Sequence, residues 1–510
     1  MDSMDKKTLI AIVLALTVLI ASQYIFTTYA PKTPRLPQEA EKKTEERKMP
    51  GPIVLPPSEI QQTAGVRDVK VETDLYIATL TSMGGTIRKF DLKRYRDKDG
   101  MSVSLLRAQG IYPPLGIGQD DFSLSKINFD IKGSDLRLEG SQAGAITFEY
   151  ASSKFSIRRT YTFYADRYRV DLKDEVTGIP EYWITLGSDF GIHDPRDSSA
   201  PHIGPVILKD TDRIELTGKK LGEPKSYRDG LHWIAQEDKY FFASIVPAGQ
   251  VMEAKAWKVQ DSSVIALKTK SGINSFMIYA GPKDYDRLKE LNVGLQHIID
   301  FGFFSILARP LFWILKLFYK FMGNYGWAIV LLTIVVRIPF IPLLSKGQRS
   351  MNKLKELQPR LSEIREKYKK DPQRMQKEMM EMYRKYKVNP MGGCLPILLQ
   401  IPVFFALYKV LMIAIELRGA PFMLWIKDLS AKDPYYILPI VMGVTMVIQQ
   451  KMTPTSVDPK QNKIMMFMPV IFTFLFLNFA SGLVLYWLVN NILSIAQQLY
   501  TNRKLAKQIQ

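Results

Sequence analysis

The sequence has almost no cysteine, since Cys394 is the single one among 510 residues. A disulfide within the chain and a thiolate metal cluster are therefore excluded. The four histidines, His193, His202, His232 and His297, are scattered without metal-ligand spacing. A P-loop is also missing, so no motif for ATP hydrolysis is present. We expect no cofactor, no metal and no covalent chemistry, and we predict that the chain is not an enzyme.

What is present changes in character along the chain. The overall apolar content, 46%, is ordinary for a soluble protein, but it averages a polar first half and a strongly apolar second half. The formal net charge of +19 fits an anionic partner, either nucleic acid or lipid headgroups. It also fits Lys and Arg retained in the cytoplasmic loops of a membrane protein, and the clustering of charge beside apolar segments favours this interpretation.

The N-terminal segment 9–26 is continuously apolar and follows two lysines. We interpret residues 1–30 as an uncleaved signal-anchor helix whose N-terminus is cytoplasmic. The alternative is a cleaved signal peptide. Its cleavage site would contain the bulky Tyr29 and be followed directly by Pro31, which disfavours cleavage. Residues 31–60, rich in Pro, Glu and Lys, are predicted to form a flexible linker.

Residues 61–285 are predicted to form a large antiparallel β-sandwich, because apolar and polar residues alternate with the period of half-buried strands. Such a sandwich could bind sugar or peptide in a cleft, where Asp189, His193 and His202 could act as an acid/base group. The simpler interpretation, loop residues without chemistry, is the one we prefer.

The second half is predicted to be helical and to complete a polytopic membrane protein with six transmembrane helices. Arg309, Lys316 and Lys320 lie near one helical face of an apolar segment, which favours an interfacial amphipathic helix. The predicted segments are an interfacial region (286–322), a second span (323–345), a cytoplasmic helical hairpin (346–390), a third span (391–416), a periplasmic loop (417–434), a fourth span (435–451), a cytoplasmic loop (452–463), a fifth span (464–480), a sixth span (482–500) and a basic tail (501–510).

The distribution of Lys and Arg predicts the orientation. The hairpin, the loop 452–463 and the tail are basic, whereas residues 416–434 balance three basic against three acidic side chains. Basic short loops remain cytoplasmic. We therefore expect both termini in the cytoplasm and the β-domain on the opposite side.

The hairpin is predicted to contain two helices. They are separated at Lys370-Asp371-Pro372, because Asp371 can cap a helix in which Pro372 takes the first position. The second helix is rich in methionine, which is frequent on adaptable binding surfaces.

Arg337 is the most informative residue of the membrane half. A charged side chain within an apolar span costs about 2.5–3.5 kcal/mol on insertion-derived scales. The apolar segments 325–344, 395–415, 435–450, 464–479 and 483–500 contain no Asp or Glu to pair with it. We expect Arg337 to be hydrated in a groove that is open to the cytoplasm.

Other polar residues recur at helical spacing. Thr333 lies one turn before Arg337, Gln400 lies one turn before Phe404, and the sixth span carries a stripe of four. The stripe is Tyr486, Asn490, Ser494 and Gln497. It could line a wet cavity or simply form helix–helix hydrogen bonds. The missing intramembrane carboxylates count against an ion-coupled transporter, although transport or handling of an anionic solute or lipid is the second hypothesis.

Several motifs together carry a resemblance to a known family. They are YGW (325–327), Thr333 with Arg337, KVNPMGGC (387–394), LQIPVF (399–404), APF (420–422), DPYYILP (433–439), FMPV (467–470) and SGLVLYW (481–487). With these motifs the sequence resembles the YidC-type membrane protein insertases of Gram-negative bacteria.

The resemblance implies a multi-pass inner-membrane protein that inserts nascent membrane proteins and acts as their chaperone, alone or with the Sec translocon. The β-domain would be a periplasmic super-sandwich. Other implied partners are membrane lipids and, through the hairpin 346–390, the ribosome and the signal-recognition targeting machinery.

The resemblance also implies roles for individual residues. Arg337 would hold the polar segment of a client, and the apolar segment would leave past Phe404 and Phe472. Thr333 and Trp487 match substrate-contacting positions, although the family commonly has a tyrosine at the latter. The predicted groove comprises Arg337, Thr333, Gln400, Phe404, Tyr486, Trp487, Asn490 and Ser494. Lys409 is given no role.

Overall fold

The structure, a computed structural model, describes residues 65–97, 99–106, 110–195, 197, 199–216, 221–386, 395–452 and 459–509. The predicted anchor 1–30 and linker 31–60 lie outside the described residues, as do the motif 387–394 and part of the loop 452–463.

Seventeen strands follow one another in the first part of the described chain. They are β1 Asp68–Glu72, β2 Tyr76–Thr81, β3 Thr86–Arg96, β4 Ser102–Ser104, β5 Ile117–Gly118, β6 Asp130–Lys132, β7 Leu136–Arg137, β8 Ala143–Ala151, β9 Ser156–Tyr164, β10 Arg169–Ser188, β11 Gly204–Lys209, β12 Asp212–Glu215, β13 Lys225–Tyr227, β14 Leu231–Glu237, β15 Phe241–Pro247, β16 Glu253–Val259 and β17 Ser262–Pro282. The predicted β-rich domain is therefore confirmed.

These strands form two sheets. One has the order β4-β3-β2-β1-β7, and the other has the order β12-β11-β14-β15-β17-β10-β9-β8-β6, with β16 and β13 beside β17 and β5 beside β10. The pairings are antiparallel except for β1 with β7. Buried side chains of both sheets belong to one apolar cluster, as Phe90 of β3 and Phe148 of β8 illustrate. The domain is thus a sandwich, as the alternating sequence predicts.

A fully buried ion pair lies in the sandwich core. Arg159 of β9 donates to both carboxylate oxygens of Asp174 of β10, at 2.9 and 3.3 Å. Its guanidinium also donates to the backbone carbonyls of Leu115 and Gly84, at 2.7 and 3.2 Å. Neither side chain is exposed to solvent. The pair therefore connects the second sheet to the turn between β2 and β3 of the first.

The candidate acid/base residues of this domain each have other partners. Asp189 accepts a hydrogen bond from the backbone amide of Ser263 at 3.1 Å. His193 Nδ1 lies 3.2 Å from a backbone carbonyl, and His202 Nε2 lies 3.2 Å from the carbonyl of Pro205. No group of three metal-ligating side chains occurs within the described residues. These contacts favour the interpretation without chemistry.

Nine α-helices follow the strands within the residues that the structure describes. They are α1 Tyr285–Glu290, α2 Ser305–Met322, α3 Tyr325–Arg337, α4 Ile341–Lys367, α5 Pro372–Lys385, α6 Leu395–Ile413, α7 Ile437–Met452, α8 Pro459–Phe476 and α9 Ser481–Ile509.

The helix α2 has one buried face and one face of exposed apolar side chains. Ala308, Leu311 and Leu315 are buried, whereas Ile306 and Trp313 are exposed over 85% and 65% of their surface. Large exposed apolar side chains in such number favour contact with lipid.

The second predicted span and the first arm of the hairpin form one helical stretch. A short 3-10 turn, Ile338–Phe340, joins α3 to α4. Within the described residues, Tyr325–Leu354 is the one helix that is long and apolar enough to cross a membrane by length and composition; Gln400–Ile413, Ile437–Met452 and Met466–Phe476 are shorter apolar helices.

The break inside the hairpin is confirmed. The side chain of Asp371 accepts a hydrogen bond from the amide of Arg374 at 3.1 Å, and Pro372 takes the first position of α5. Leu357 and Leu361 of α4 are buried against Met379 and Met382 of α5. The two arms therefore pack on each other through apolar side chains.

Candidate functional site

The start of α3 is tied to the loop that follows α6, and this contact fixes the helix that carries Arg337. The Asn324 side chain accepts hydrogen bonds from the amides of Gly326 and Trp327 and donates to two loop carbonyls. A Cβ atom at Gly326 would lie 2.0 Å from the ring of Phe422, so only glycine allows this approach. Arg337 follows three turns later.

Arg337 is held by α9. Its guanidinium donates to Asn490 Oδ1 at 2.6 Å and to the Asn490 carbonyl at 3.2 Å. It also donates to Ser494 Oγ at 2.9 Å and to Gln497 Oε1 at 3.2 Å. Within the described part of the chain, all of these acceptors are neutral. The guanidinium is therefore hydrogen-bonded, but no carboxylate among the described residues forms an ion pair with it.

Gln497 links the arginine to the start of α4. Its amide nitrogen donates to Ser345 Oγ at 3.2 Å, while its amide oxygen accepts from Arg337. Three of the four polar residues predicted as one stripe on α9 thus surround the arginine. We define Arg337, Asn490, Ser494 and Gln497 as the polar cluster.

Gln400 and Tyr486 form a second polar contact, between α6 and α9. The Gln400 amide donates to the Tyr486 hydroxyl, and Tyr486 is almost completely buried. Tyr486 lies one turn before Asn490 on α9, so the contact continues the line of the polar cluster along that helix.

Phe404 and Trp487 lie in a separate aromatic cluster. Their ring centroids are 5.0 Å apart at an interplanar angle of 90°, an edge-to-face contact. Phe472 and Phe476 of α8 complete the cluster, at 5.9 and 5.2 Å from Trp487. Phe476 is not among the residues predicted from the sequence, although its position one turn after Phe472 is a signal for it.

Thr333 points away from solvent. It is 2% exposed, and its hydroxyl donates to the carbonyl of Ile329 in its own helix at 2.7 Å. Of the eight predicted groove residues, five belong to the two clusters, Gln400 and Tyr486 contact each other, and the Thr333 hydroxyl bonds within its own helix.

Two polar residues on the other face of α9 have a simpler explanation. Asn491 donates to Thr445 Oγ1 of α7 at 3.1 Å, and Gln498 donates to the Met452 carbonyl at 2.8 Å. Both are buried. These contacts are helix–helix hydrogen bonds, which the polar stripe alone does not distinguish from a functional site.

The two clusters offer two binding surfaces of different chemistry. The polar cluster presents a cation with neutral neighbours, which attracts anionic and strongly polar groups. The aromatic cluster presents a large apolar surface that accepts aliphatic side chains.

Comparisons with known proteins agree with both halves of the chain. Residues 68–314 match the family model described as YidC periplasmic domain, and residues 317–508 match the one described as 60Kd inner membrane protein.

Full-length relatives give the same result. The membrane protein insertase YidC of Syntrophus aciditrophicus (strain SB) is 40% identical over 98% of this chain and 100% of its own. The insertase YidC of Geotalea uraniireducens (strain Rf4) is also 40% identical, over 98% and 100% of the two chains. A crystal structure of an active YidC insertase, with its first transmembrane domain resolved, is 17% identical with a TM-score of 0.41, over 95% of this chain and 97% of that one. The two family matches and the full-length relatives show that this chain belongs to the YidC family of membrane protein insertases.

Proposed function

We propose that this chain inserts newly made proteins into the bacterial inner membrane and helps them to fold, without covalent chemistry. Membership of the insertase family supports this function. The observation that carries the mechanism is the polar cluster, in which Arg337 has four hydrogen-bond contacts and a counter-ion in none of them.

Arg337 binds the polar segment of a client transiently. A carboxylate or other anionic group of the client supplies the charge that α9 does not, and the charge-assisted hydrogen bonds stabilise it. Because the resident acceptors are neutral, they release the guanidinium at little electrostatic cost. When the client leaves, the guanidinium of Arg337 again donates its hydrogen bonds to Asn490, Ser494 and Gln497.

The apolar segment of the client passes along the aromatic cluster. Phe404, Phe472 and Trp487 are partly buried, and each has ring surface left to bind a client side chain. The neighbouring face of α8 is apolar and exposed, with Ile471 and Phe474 exposed over 58% and 68% of their surface. A segment that slides past these rings would therefore enter lipid without exposure to water.

The membrane topology of the proposal has six spans, with both termini cytoplasmic and the β-domain periplasmic. The basic hairpin 346–390 and basic tail 501–510 support this orientation. The exposed apolar face of α2 supports lipid contact at the interface. The proposed partners are nascent membrane proteins, the Sec translocon, and the ribosome with its targeting machinery, which would dock on the hairpin.

Site-specific photocrosslinking tests the binding surfaces. Probes at Phe404 and Trp487 should capture nascent membrane proteins during insertion into proteoliposomes. A probe at Thr333 should capture them more weakly, because this side chain is buried until the helices separate. Insertion without any labelling at Phe404 and Trp487 would refute the proposed path.

Substitution of the arginine tests the charge. Arg337→Ala should slow insertion of clients with acidic translocated segments about tenfold or more, since hydrogen bonds to charged groups contribute about 1.5–3 kcal/mol. Arg337→Lys should restore part of the activity if the charge matters more than the planar guanidinium. Arg503→Ala, which removes an exposed arginine later in α9, is the control. Equal insertion by Arg337→Ala and the wild type for every client would exclude this role.

A further inference from the structure

Lys409 places a charge in the apolar helix α6, in addition to the charge of Arg337 in α3. It lies on the side of α6 opposite the proposed client path. An α-helix turns about 100° per residue, so Lys409 lies about 180° from Gln400 and about 140° from Phe404. Those two side chains contact α9. A lysine buried in such a helix costs free energy unless its charge has a partner. The partner identifies the element to which this side of α6, its rear, is attached.

The partner is Asp300, just before α2. Lys409 Nζ lies 3.2 Å from Asp300 Oδ2, and the lysine side chain is 19% exposed. The other carboxylate oxygen, Asp300 Oδ1, accepts a hydrogen bond from the amide of Gly302 at 2.8 Å. The carboxylate is therefore held by its own turn and by α6 at the same time.

The turn at Gly302 has a conformation suited to this contact. Its φ of +69° lies in the left-handed region, which glycine adopts without strain. The aliphatic stem of Lys409 passes over it, since a Cβ atom built there would lie 3.6 Å from Lys409 Cε. The lysine thus contributes apolar packing as well as charge.

An aromatic contact lies on the same side of α6. Phe304, at the start of α2, stacks on Phe405 with a centroid distance of 6.1 Å and an interplanar angle of 10°. Phe405 is one turn before Lys409 and shares its face. Two contacts of different chemistry therefore attach the rear of α6 to the start of α2.

The same carboxylate faces the β-domain. Burial raises the pKa of Asp300, but Lys409, the Gly302 amide and Arg213 of β12 outweigh burial and hold this pKa below its ordinary value. Arg213 is itself held by Glu237 and Glu215. Asp300 thus lies between a charged network of the β-domain and the lysine of α6.

We propose that Lys409 is a positioning residue, which attaches α6 to Asp300 and so sets the distance of Gln400 and Phe404 from α9. This inference rests on the proposed function, because the distance between α6 and α9 matters for activity only if a client passes between them. The positioning itself is a structural property that can be measured without a client.

The first test measures the spacing of the helices in the full-length protein. In a Cys394→Ser background, cysteines replace Gln400 and Tyr486, whose side chains are in hydrogen-bond contact. A short bifunctional thiol reagent should cross-link them. Lys409→Met or Asp300→Asn should slow the cross-linking roughly threefold or more. Unchanged cross-linking rates in both variants would overturn the proposal.

A variant that keeps the charge separates attachment from general stability. Lys409→Glu should slow the cross-linking as well, whereas Lys409→Arg should cross-link at close to the wild-type rate, because a cation still faces Asp300. Lys320→Met, which removes an exposed lysine from α2, is the control and should have no effect. Cross-linking of Lys409→Arg as slow as that of Lys409→Met would also overturn the proposal.

The second test measures insertion with the native residues at positions 400 and 486. Lys409→Met should reduce the insertion rate several-fold, whereas Lys409→Arg should retain most of it. A wild-type protein that shows no insertion at all would contradict the proposed function and leave the cross-linking result to decide the positioning role alone. Wild-type insertion with an equally active Lys409→Met variant would overturn the inference and leave the proposed function intact.

Discussion

The β-domain and the helical region bury an arginine in different ways. In the β-domain, Arg159 is completely buried and donates to both oxygens of Asp174. In the helical region, Arg337 is partly buried and donates to an asparagine, a serine and a glutamine. Both guanidinium groups are well hydrogen-bonded, so the difference lies in the counter-ion.

This difference separates a structural charge from one that is free to bind. A buried arginine with a permanent carboxylate partner is electrostatically saturated, and removing either partner leaves an uncompensated charge. An arginine whose hydrogen-bond acceptors are all neutral still lacks a counter-ion, and it can therefore bind an anion. The free energy of the fold depends on the first arginine, and the proposed client binding depends on the second.

Breaking the pair in the β-domain should have the largest effect on stability. Asp174→Ala leaves Arg159 buried without its counter-ion, and we expect the free energy of unfolding to fall by about 3–5 kcal/mol. Denaturant unfolding of the full-length protein, followed by protease resistance of the β-domain, measures this loss. Asp171→Ala, which breaks the more exposed pair with Arg169, is the control, with an expected loss of at most about 1 kcal/mol. Similar losses in both variants would contradict the assignment of Arg159 as a structural charge.

Arg337→Met should have the reverse effects, a small loss of stability and a large loss of insertion activity. Loss of the desolvated charge offsets the loss of its hydrogen bonds to neutral groups, so the free energy of unfolding should change by less than about 1.5 kcal/mol. Insertion of acidic clients should nevertheless fall strongly. Parallel measurement of unfolding and insertion tests the comparison directly. A loss of stability as large as that of Asp174→Ala would make Arg337 a second structural arginine.

Two neighbouring glutamines of α9 sharpen the comparison within the helical region. Gln497 contacts Arg337, whereas Gln498 donates to the carbonyl of Met452 in α7. Gln498→Leu should cost about 0.6 kcal/mol of stability, the average for hydrogen bonds between membrane helices, and leave insertion unchanged. Gln497→Leu should reduce insertion with a similarly small cost in stability. Thermal unfolding in detergent and proteoliposome insertion measure the two effects.

A larger insertion defect in Gln498→Leu than in Gln497→Leu would contradict this expectation. The functional face of α9 would then be the one that carries Gln498. The client path would lie between α9 and α7 rather than beside Arg337.

Local chemistry made part of the fold predictable from the sequence. The alternation of apolar and polar residues identified the strands, because each side of a sheet has its own solvent exposure. The break at Asp371-Pro372 was predictable because a cap and an N-terminal proline act within one helical turn. The order of the seventeen strands was not, since it depends on contacts between residues distant in the chain.

The site was predictable to the level of a helical face. The spacing of Tyr486, Asn490, Ser494 and Gln497 placed them on one side of α9, but spacing does not fix how α9 is rotated against α3. The structure separates Tyr486, which contacts Gln400, from the three that bind Arg337. Lys409 was given no role because its partner, Asp300, belongs to another segment.

His202 of the β-domain should make a smaller, pH-dependent contribution to stability. His202 is 4% exposed; its Nε2 contacts the Pro205 carbonyl, and its Nδ1 has no hydrogen-bond partner among the described residues. Burial lowers the pKa of His202, although Glu237 and Glu215 act in the opposite direction. The folded state therefore disfavours the protonated imidazole, whereas the unfolded chain takes up the proton near pH 6.5. The free energy of unfolding should fall as the pH is lowered below about 6.5.

His202→Gln should remove this part of the pH dependence, because glutamine can still donate to the Pro205 carbonyl and does not titrate. The measurement is the difference in unfolding free energy between pH 8 and pH 5.5, compared for wild type and variant. The wild type should lose more stability than His202→Gln over this interval. The insertion defect of Arg337→Ala should be the same at both pH values, since an arginine stays protonated throughout. Equal pH dependence in wild type and His202→Gln would show that folding does not lower the pKa of His202.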